Sequence, residues 1–470
     1  MKFEDSRSVE SGTALATDVC VVGAGAAGLT LATTFAEHGI DTCVIEAGGM
    51  QFDVGTQSLY RGQVSGDRLP HNYLVTSRLR QFGGTTNHWG GHTLPISAHV
   101  FGRRPGVPTG EWPFSRRELD PYYERAALFL DAKRPYRPDP PPPNDAPLVK
   151  VNSYAIQNLR LGQTYRDRLE RSASVRVLLF GNVIELETER GGRRLHSVKV
   201  ATLGGNRFSV RARVFVLATG AIENARLLLQ PTEMNPRGIG NEHDLVGRYF
   251  MEHVFLLTGR AVRMSEKWPM FAALSPGLQA RHELLDVGLS LRKLTEKPNE
   301  LSRALLQVTG ALDLPADDPA LLGAVIYGEA LPDRNNRVTL MAERDELGQN
   351  KCELHFVLSG IDRRNLQETQ RLAARIVGER GWGRLRPAAI PSQVGLGNHH
   401  IGTTRMNPHP RVGVVDAHCR VHTLANLFLA GSSVFPSAGL VNPTFTIVAL
   451  AYRLADHLIH GIREGAFGRV

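Results

Sequence analysis

Two adjacent histidines, His399 and His400, lie in a polar, glycine-containing stretch of the chain. A neutral imidazole can accept a proton from an alcohol, so either ring is a candidate general base. Downstream, an apolar strand-like run at 426–430 leads to Asn442-Pro443, a pair typical of a helix start, with Asn as the N-cap and Pro at the first helical position. Because the amino end of a helix favours negative charge, these features predict a base beside an anion-stabilising helix end.

A glycine motif near the amino end predicts a dinucleotide site. The apolar run 18–22 leads directly into Gly23, Gly25 and Gly28, and the strand that follows the next helix ends at Glu46. Such glycines permit a tight turn, a close approach of the backbone to a pyrophosphate, and close helix–strand packing, while the acid accepts hydrogen bonds from a ribose. The alternative is a tight strand-to-helix turn without a ligand. The full context of strand, helix and terminal acid favours a dinucleotide site. The acid would repel a 2′-phosphate, so we expect a dinucleotide that lacks this group.

A second glycine-rich loop, at 83–91, surrounds Asn87, His88 and Trp89. Such a loop is rich in accessible backbone and can lie against a planar ligand. On these residues alone, His88 is better interpreted as a packed loop histidine that bonds a backbone carbonyl.

Composition limits the class of protein. A chain of 470 residues is too long for one ordinary core, so we expect two domains or one elaborated domain. No stretch approaches the length of a membrane span, residues 1–17 are expected to be a loose polar leader without a secretory signal, and the scattered cysteines form no CxxC. We therefore expect a cytoplasmic protein without a metal or disulfide framework. The net charge of +9 is dispersed, which argues against nucleic-acid binding.

The elements that must position these groups change character along the chain. The proline-rich stretch 134–147 predicts an extended surface connector. Short alternating segments over 175–216 predict a small antiparallel meander, which ends in a buried strand and a helix over 221–228. The segment 254–391 mixes strands with a helix over 363–380 and lacks glycine motifs, so we expect it to face the substrate.

Four motifs together resemble the glucose–methanol–choline (GMC) oxidoreductase family of FAD flavoproteins, across nearly the whole chain. They are the amino-terminal glycine motif with Glu46, the loop at 83–89, the segment 218–228, and the carboxy-terminal block around His399 and Asn442. In order and spacing they look most like the branch that contains pyranose oxidase and bacterial sugar or glycoside oxidases.

The resemblance implies an α/β fold, with a Rossmann-type FAD-binding domain and an inserted α+β substrate-binding domain. An FAD domain of this kind is assembled from separated segments. The expected division is 1–98, 172–255 and 393–470 for the FAD-binding domain, and 99–171 and 256–392 for the substrate-binding domain.

The resemblance also implies roles at the active site. His399 matches the family's H-x-x-G-T histidine and would take the alcohol proton, Asn442 would help to hold the alkoxide, and the hydride would pass to flavin N5. The helix beginning at Pro443 would direct its positive end toward the flavin pyrimidine edge. His400 is then a core or supporting histidine. A role for Asn442 as helix cap alone stays open, and the two roles are compatible.

FAD is the cofactor that the resemblance implies. The histidine matching His88 is covalently joined to the flavin in some relatives, and this sequence permits either form. The expected FAD-binding residues are Gly23, Gly25, Ala26, Ala27, Gly28, Glu46, Ala47, Gly83, Gly84, Thr85, Asn87, His88, Trp89, Gly90, Val183, Ala218, Thr219, Gly220, Asn224, Gly431, Ser432, Asn442, Pro443 and Thr444.

The predicted function is oxidation of a CH–OH group in a sugar, a glycoside or a sugar-decorated natural product, with O2 or another electron acceptor. One alternative is a flavin-containing lyase in which His399 does acid–base chemistry without net redox. A nonenzymatic binding protein with a basic surface is a third class, disfavoured by His399 and Asn442 beside a full nucleotide motif. Substrate identity, electron acceptor and oligomeric state stay open.

Overall fold

A computed structural model describes most of the chain. Of the connector predicted at 134–147, residues 134 and 139–145 lie outside the described part. No helix among the described residues is both long and apolar enough to cross a membrane. The described residues are 2–66, 69–133, 135–138, 146–151, 154–155, 159–293, 321–390 and 395–468.

The strands that become buried are runs of branched and other apolar residues, as in the segment 19–22, where every side chain is buried. The predicted strand at 426–430 is confirmed in a shorter form. The strands are β1 (Phe3–Asp5), β2 (Ala14–Val22), β3 (Thr42–Ile45), β4 (Gln63–Gly66), β5 (His92–Thr93), β6 (Leu148–Lys150), β7 (Tyr154–Ala155), β8 (Val175–Leu179), β9 (Asn182–Thr188), β10 (Leu195–Ala201), β11 (Arg207–Leu217), β12 (His253–Arg263), β13 (Phe271–Leu274), β14 (Val287–Lys293), β15 (Leu321–Glu329), β16 (Arg337–Arg344), β17 (Asn350–Phe356), β18 (Gly383–Pro387), β19 (Gly395–Leu396) and β20 (Leu427–Leu429).

The helix predicted at 363–380 is confirmed, but it begins three residues earlier because Ser359 and Asp362 form a capping box. The helices are Ala26–Glu37, Val54–Ser58, Tyr73–Thr76, Ala98–Phe101, Asp120–Phe129, Leu161–Glu170, Ala221–Leu229, Pro276–Arg281, Gly360–Glu379 and Thr444–Arg463, with single 3-10 turns at Ser6–Ser8, Gly84–Asn87, Arg116–Glu118 and Ser432–Val434.

The main sheet has the order β1-β8-β3-β2-β11, and these neighbours are parallel. The long strand β11 then pairs with β20 in parallel through its final residues and with β10 in antiparallel through its first ones. In register, Val22 lies opposite both Ile45 and Leu217, and Leu217 lies opposite Leu429. The carboxyl ends of β2, β3, β11 and β20 therefore meet at one edge of the sheet, where ligands bind in open α/β folds.

A second, antiparallel sheet has the order β18-β12-β15-β14-β13-β6, and β19 also pairs with β12. The helix Gly360–Glu379 packs on β18 and β14. The remaining strands form the set β16-β17-β4 and the ribbon β5-β7. Since β12 begins at His253 and β15 contains Tyr327, the second sheet carries polar side chains to the edge where the main sheet ends.

Two predictions about the main sheet are wrong. The loose leader expected over 1–17 is instead folded from residue 2 onward, because β1 pairs in parallel with β8 and the 3-10 turn after it buries Ser6. The meander predicted from 175 begins only at β9, since β8 pairs in parallel with β3. Short alternating segments carry no information on strand direction, which depends on long-range partners.

The carboxy-terminal helix, Thr444–Arg463, starts where the sequence predicts but is not capped as predicted. Pro443 is the N-cap, and the side chain of Asn442 caps no helical N–H. The Thr93 hydroxyl oxygen of β5 accepts the hydrogen bond from the backbone N–H of Phe445 instead, at 3.1 Å. The cap therefore comes from a residue 352 positions away, which leaves the Asn442 amide available for other partners.

We expect Thr93→Val to destabilise the protein by about 0.5–2 kcal/mol, because the Phe445 N–H loses its acceptor. Urea unfolding of the wild type and the variant measures this difference. Thr93→Ser, which keeps the hydroxyl, is the matched control and should lose less. Equal unfolding midpoints for Thr93→Val and the wild type would contradict the assigned cap.

Candidate active site

A cavity of about 380 Å³ lies along the edge where the main-sheet strands end. Its walls include the glycine motif, the loop at 84–92, the segment 397–400 and the start of the carboxy-terminal helix. The structure thus brings distant segments of the chain to one place. The predicted residues that line the cavity are Gly23, Gly25, Ala26, Ala27, Glu46, Ala47, Gly84, Thr85, His88, Trp89, Gly90, Val183, Ala218, Thr219, Gly220, His399, Gly431, Ser432, Asn442, Pro443 and Thr444.

Four predicted cofactor residues do not line the cavity but shape its walls. A Cβ on Gly28 would lie 1.9 Å from the carbonyl oxygen of Gly23, so this position packs helix against turn. The backbone N–H of Gly83 donates to a backbone carbonyl, and the Asn87 amide donates to Phe82. The side-chain oxygen of Asn224 accepts from both N–H and O–H of Thr219, at 3.0 and 2.7 Å.

The cavity wall fits a dinucleotide at its glycines. A Cβ built on Gly25, Gly220 or Gly431 meets no atom within 4 Å, so these backbones face open space. By contrast, a Cβ on Gly23 would lie 2.7 Å from the carbonyl oxygen of Ala218. Gly23 must therefore be glycine because the turn packs closely against Ala218. Gly25 leaves the backbone open to the cavity, so that a pyrophosphate can approach it.

Glu46 lies at the end of β3, as predicted, and lines the same cavity. Its carboxylate accepts hydrogen bonds from the backbone N–H groups of Ala24, at 2.8 Å, and Gly48, at 2.9 Å. Burial raises the pKa of Glu46, and these two N–H groups oppose that rise. The acid is thus held beside the glycine motif, in position to accept from a ribose.

A charged cluster that sequence reasoning missed lines another part of the cavity. The guanidinium carbons of Arg78 and Arg80 lie 3.8 and 4.3 Å from the ring centre of Tyr60. Both arginines, together with Arg226, form ion pairs with the buried Glu223. Burial alone would raise the pKa of Glu223, but the three arginines lower it to about 2. Arg226 also pairs with Asp345, so the arginines of this wall are held in place by carboxylates and the wall is preorganised.

A hydrogen-bond network surrounds His399. Its Nδ1 lies 2.9 Å from Nδ1 of His253 and 3.0 Å from the Tyr327 hydroxyl. Nε2 of His253 lies 2.6 Å from the carbonyl oxygen of Gly439. The Tyr327 hydroxyl donates to Oδ1 of Asn442 at 2.6 Å. Four segments of the chain, each from a different element or loop, meet in this network.

The network determines the tautomer of His399. A carbonyl can only accept, so His253 must carry its proton on Nε2, and its Nδ1 is then an acceptor. Tyr327 gives its proton to Asn442, so it too can only accept from the imidazole. Nδ1 of His399 is therefore the donor to both, which leaves the lone pair on Nε2, the nitrogen that bonds to no described residue.

The environment keeps this base neutral. Burial lowers the pKa of His399 well below its usual range, and His253 and His400 lower it further. Burial also lowers the pKa of His253. At neutral pH each ring therefore carries one proton, on Nε2 of His253 and on Nδ1 of His399. Nε2 of His399 is unprotonated and can accept a proton.

Asn442 is held by contacts on both sides of its amide. Its nitrogen donates to the carbonyl oxygen of His92 at 2.6 Å, while its oxygen accepts from Tyr327. An amide nitrogen has two hydrogens, so the second can donate to a substrate oxygen. The sequence predicted Asn442 here but did not indicate Tyr327, which lies 115 residues away in β15.

The other two predicted histidines have different surroundings. His400 packs against the rings of Tyr73 and Phe250, its Nε2 has no partner among the described residues, and burial lowers its pKa to about 3. A core or supporting role for His400 stays a prediction. His88 is exposed at the residue level and lines the cavity, and its pKa is lowered by desolvation of the ring and by Arg160.

Comparisons with known proteins agree with this geometry. Residues 18–239 match the family model described as FAD dependent oxidoreductase, and residues 332–451 match the model described as GMC oxidoreductase. The large subunit of fructose dehydrogenase from Gluconobacter japonicus is 23% identical, over 97% of this chain and 100% of the relative. A C-glycoside 3-oxidase from Microbacterium trichothecenolyticum is 28% identical, over 67% of this chain and 58% of the relative. The crystal structure of pyridoxine 4-oxidase from Mesorbium loti superposes with a TM-score of 0.63 at 17% identity, over 94% of this chain and 99% of that one.

The fold and the cavity thus define an FAD-dependent oxidoreductase. Its carboxy-terminal part, 332–451, matches the GMC oxidoreductase model, and the chain is similar to proteins named as sugar and glycoside oxidoreductases. The predicted fold class, the cofactor and the resemblance to GMC oxidoreductases are confirmed.

Two glycines test the cofactor wall separately. We expect Gly28→Ala to destabilise the protein by about 1–3 kcal/mol or more, because its Cβ would overlap the Gly23 carbonyl. Gly25→Ala is the matched control: it should fold normally but lose bound FAD, because its methyl group enters the cavity. Thermal unfolding and the ratio of flavin to protein absorbance measure the two effects. Equal FAD content in Gly25→Ala and the wild type would contradict the placement.

Proposed function

We propose that the protein oxidises a CH–OH group of a sugar, a glycoside or a sugar-decorated natural product to a carbonyl, with Nε2 of His399 as the base. The observation that carries this proposal is the chain of hydrogen bonds from the Gly439 carbonyl through His253 to His399. It leaves one ring nitrogen unprotonated on a histidine that lines the FAD cavity.

The substrate class is supported by the relatives and by the site. One similar protein is named for fructose and another for a C-glycoside. The groups around His399 are polar: the Asn442 amide, the Tyr327 hydroxyl and the backbone of His92. A hydroxyl-rich substrate can satisfy such donors and acceptors, whereas an apolar one would leave them unpaired.

In the proposed reaction, the substrate hydroxyl donates to Nε2 of His399, and its oxygen accepts from the second N–H of Asn442. As the proton moves to His399, the amide and the new imidazolium stabilise the developing alkoxide. FAD, when bound, supplies the acceptor for the hydride. The amino end of the helix Thr444–Arg463 lies at the same cavity and favours negative charge there.

The proposal includes the division of the chain. The FAD-binding domain comprises 1–98, 172–255 and 393–470, which supply all strands of the main sheet. The substrate-binding domain comprises 99–171 and 256–392, which supply most of the second sheet. We also propose a cytoplasmic location, supported by four buried cysteines without disulfides.

The experiment that tests the function is anaerobic mixing of the FAD-loaded protein with a panel of sugars, glycosides and simple alcohols. We expect the visible flavin band to bleach with sugars or glycosides. Readmission of air then separates oxidase from dehydrogenase by the rate at which the colour returns. A flavin that no alcohol bleaches would overturn the proposal.

We expect His399→Ala to retain FAD and to slow flavin reduction by about 10²–10⁴-fold, the usual contribution of general-base catalysis. Stopped-flow absorbance under anaerobic conditions measures the rate. The neighbouring His400→Asn is the control and should keep most of the rate, because His400 takes no part in the network. Reduction at the wild-type rate in His399→Ala would contradict the assignment.

Tyr327→Phe tests the orientation of Asn442. The ring, which stacks on His253, remains, but the hydroxyl loses its hydrogen bond to the Asn442 oxygen and the one it accepts from Nδ1 of His399. A neutral hydrogen bond contributes about 0.5–1.5 kcal/mol, so we expect flavin reduction to slow by about 2–10-fold. The same stopped-flow assay measures the change, and a faster variant would show that Tyr327 does not orient the amide.

A further inference from the structure

We propose that Glu252 is a positioning residue and the counter-charge for the base, a role that rests on the proposed function of His399. Through one carboxylate oxygen it holds the backbones of both histidines of the pair, His253 and His399. Through its negative charge it stabilises the imidazolium that forms when His399 takes the substrate proton.

The contacts of Glu252 support the positioning role. Oε1 accepts hydrogen bonds from the backbone N–H of His253, at 2.8 Å, and from that of His399, at 2.7 Å. Oε2 accepts from the hydroxyl of Tyr73. A single oxygen thus joins two segments that are 146 residues apart and whose imidazole nitrogens must meet at 2.9 Å.

The charge balance supports the second role. Glu252 is fully buried, and no arginine or lysine among the described residues forms an ion pair with it. Two other buried acids near His253, Asp286 and Glu329, are already matched, since Arg104 bonds to Glu329 and His99 lies 3.6 Å from Asp286. An imidazolium formed in this interior needs an anion, and of these three acids Glu252 is the one without a cation among the described residues.

The groups around Glu252 set its pH response. Those that face it are Tyr73 from one short helix, His253 and Tyr327 from the second sheet, and His399 from the segment before β20. Burial raises its pKa to about 7, against the hydrogen bonds from Tyr73 and the backbone N–H groups. Glu252 therefore loses its charge as the pH falls through about 7, and with it the counter-charge.

The test is Glu252→Gln in the FAD-loaded protein. The amide oxygen can still accept from both backbone N–H groups, but the charge is gone. In the wild type, we expect the flavin reduction rate to fall as the pH is lowered through about 7. In the variant we expect a rate at least about tenfold lower at pH 8.5, the effect of one pKa unit on the base, and no fall near pH 7.

Tyr73→Phe is the companion variant. It removes the donor to Oε2 and keeps both the charge and the backbone contacts. Since that hydrogen bond lowers the pKa of Glu252, its loss should move the fall in rate to higher pH instead of abolishing it. Unchanged pH profiles in both variants would overturn the inference.

A second readout does not depend on turnover. Glu252 releases its proton at about pH 4.5 in the unfolded chain and at about pH 7 in the folded one, so its ionisation lowers the stability of the wild type as the pH rises between these values. We expect the Tm of Glu252→Gln, relative to the wild type, to increase from pH 5 to pH 8. If the Tm difference between Glu252→Gln and the wild type stayed constant over this pH range, Glu252 would not become charged, and the inference would be overturned. If no alcohol reduced the wild-type flavin, the proposed function and with it the counter-charge role would fail, whereas the Tm comparison would still test the ionisation of Glu252.

Discussion

The parallel register of the main sheet is the constraint on which the rest of the structure depends. Because β2, β3, β11 and β20 run in the same direction and end in line, the residues that follow each strand must lie side by side. Gly23, Glu46, Ala218 and Gly431 all follow these ends and line one cavity. A cofactor site built from segments about 400 residues apart is thus a consequence of strand direction.

The second constraint is the exclusion of water from the place where the second sheet meets this edge. Burial makes a charged histidine costly, so His399 and His253 stay neutral and their protons are distributed by hydrogen bonding. The Gly439 carbonyl fixes the position of these protons, since it can only accept a hydrogen bond and so requires a proton on Nε2 of His253. The same burial that keeps His399 neutral also makes its imidazolium form costly, so the negative charge of Glu252 becomes important once His399 is protonated.

Sequence reasoning succeeded where a local pattern has one physical meaning. The glycine spacing at 23–28, with the strand and helix around it, is typical of a dinucleotide site, and the position of Glu46 follows from it. It failed where a partner is distant. The polar residue Asn442 before Pro443 predicted a cap, yet the tertiary structure supplied Thr93 from β5. Likewise the polar start of the chain became β1 because β8 offers it a parallel partner.

The sequence by itself indicated the resemblance to the GMC oxidoreductases, the cofactor and the α/β class, because these rest on short motifs whose order along the chain can be read directly. Only the tertiary structure decided which nitrogen of His399 carries a proton and which way the Asn442 amide faces. Those properties depend on His253, Tyr327 and the Gly439 carbonyl, whose approach results from the packing of two sheets. Hydrogen bonds across such distances leave no periodicity in the chain, so no local pattern could have indicated them.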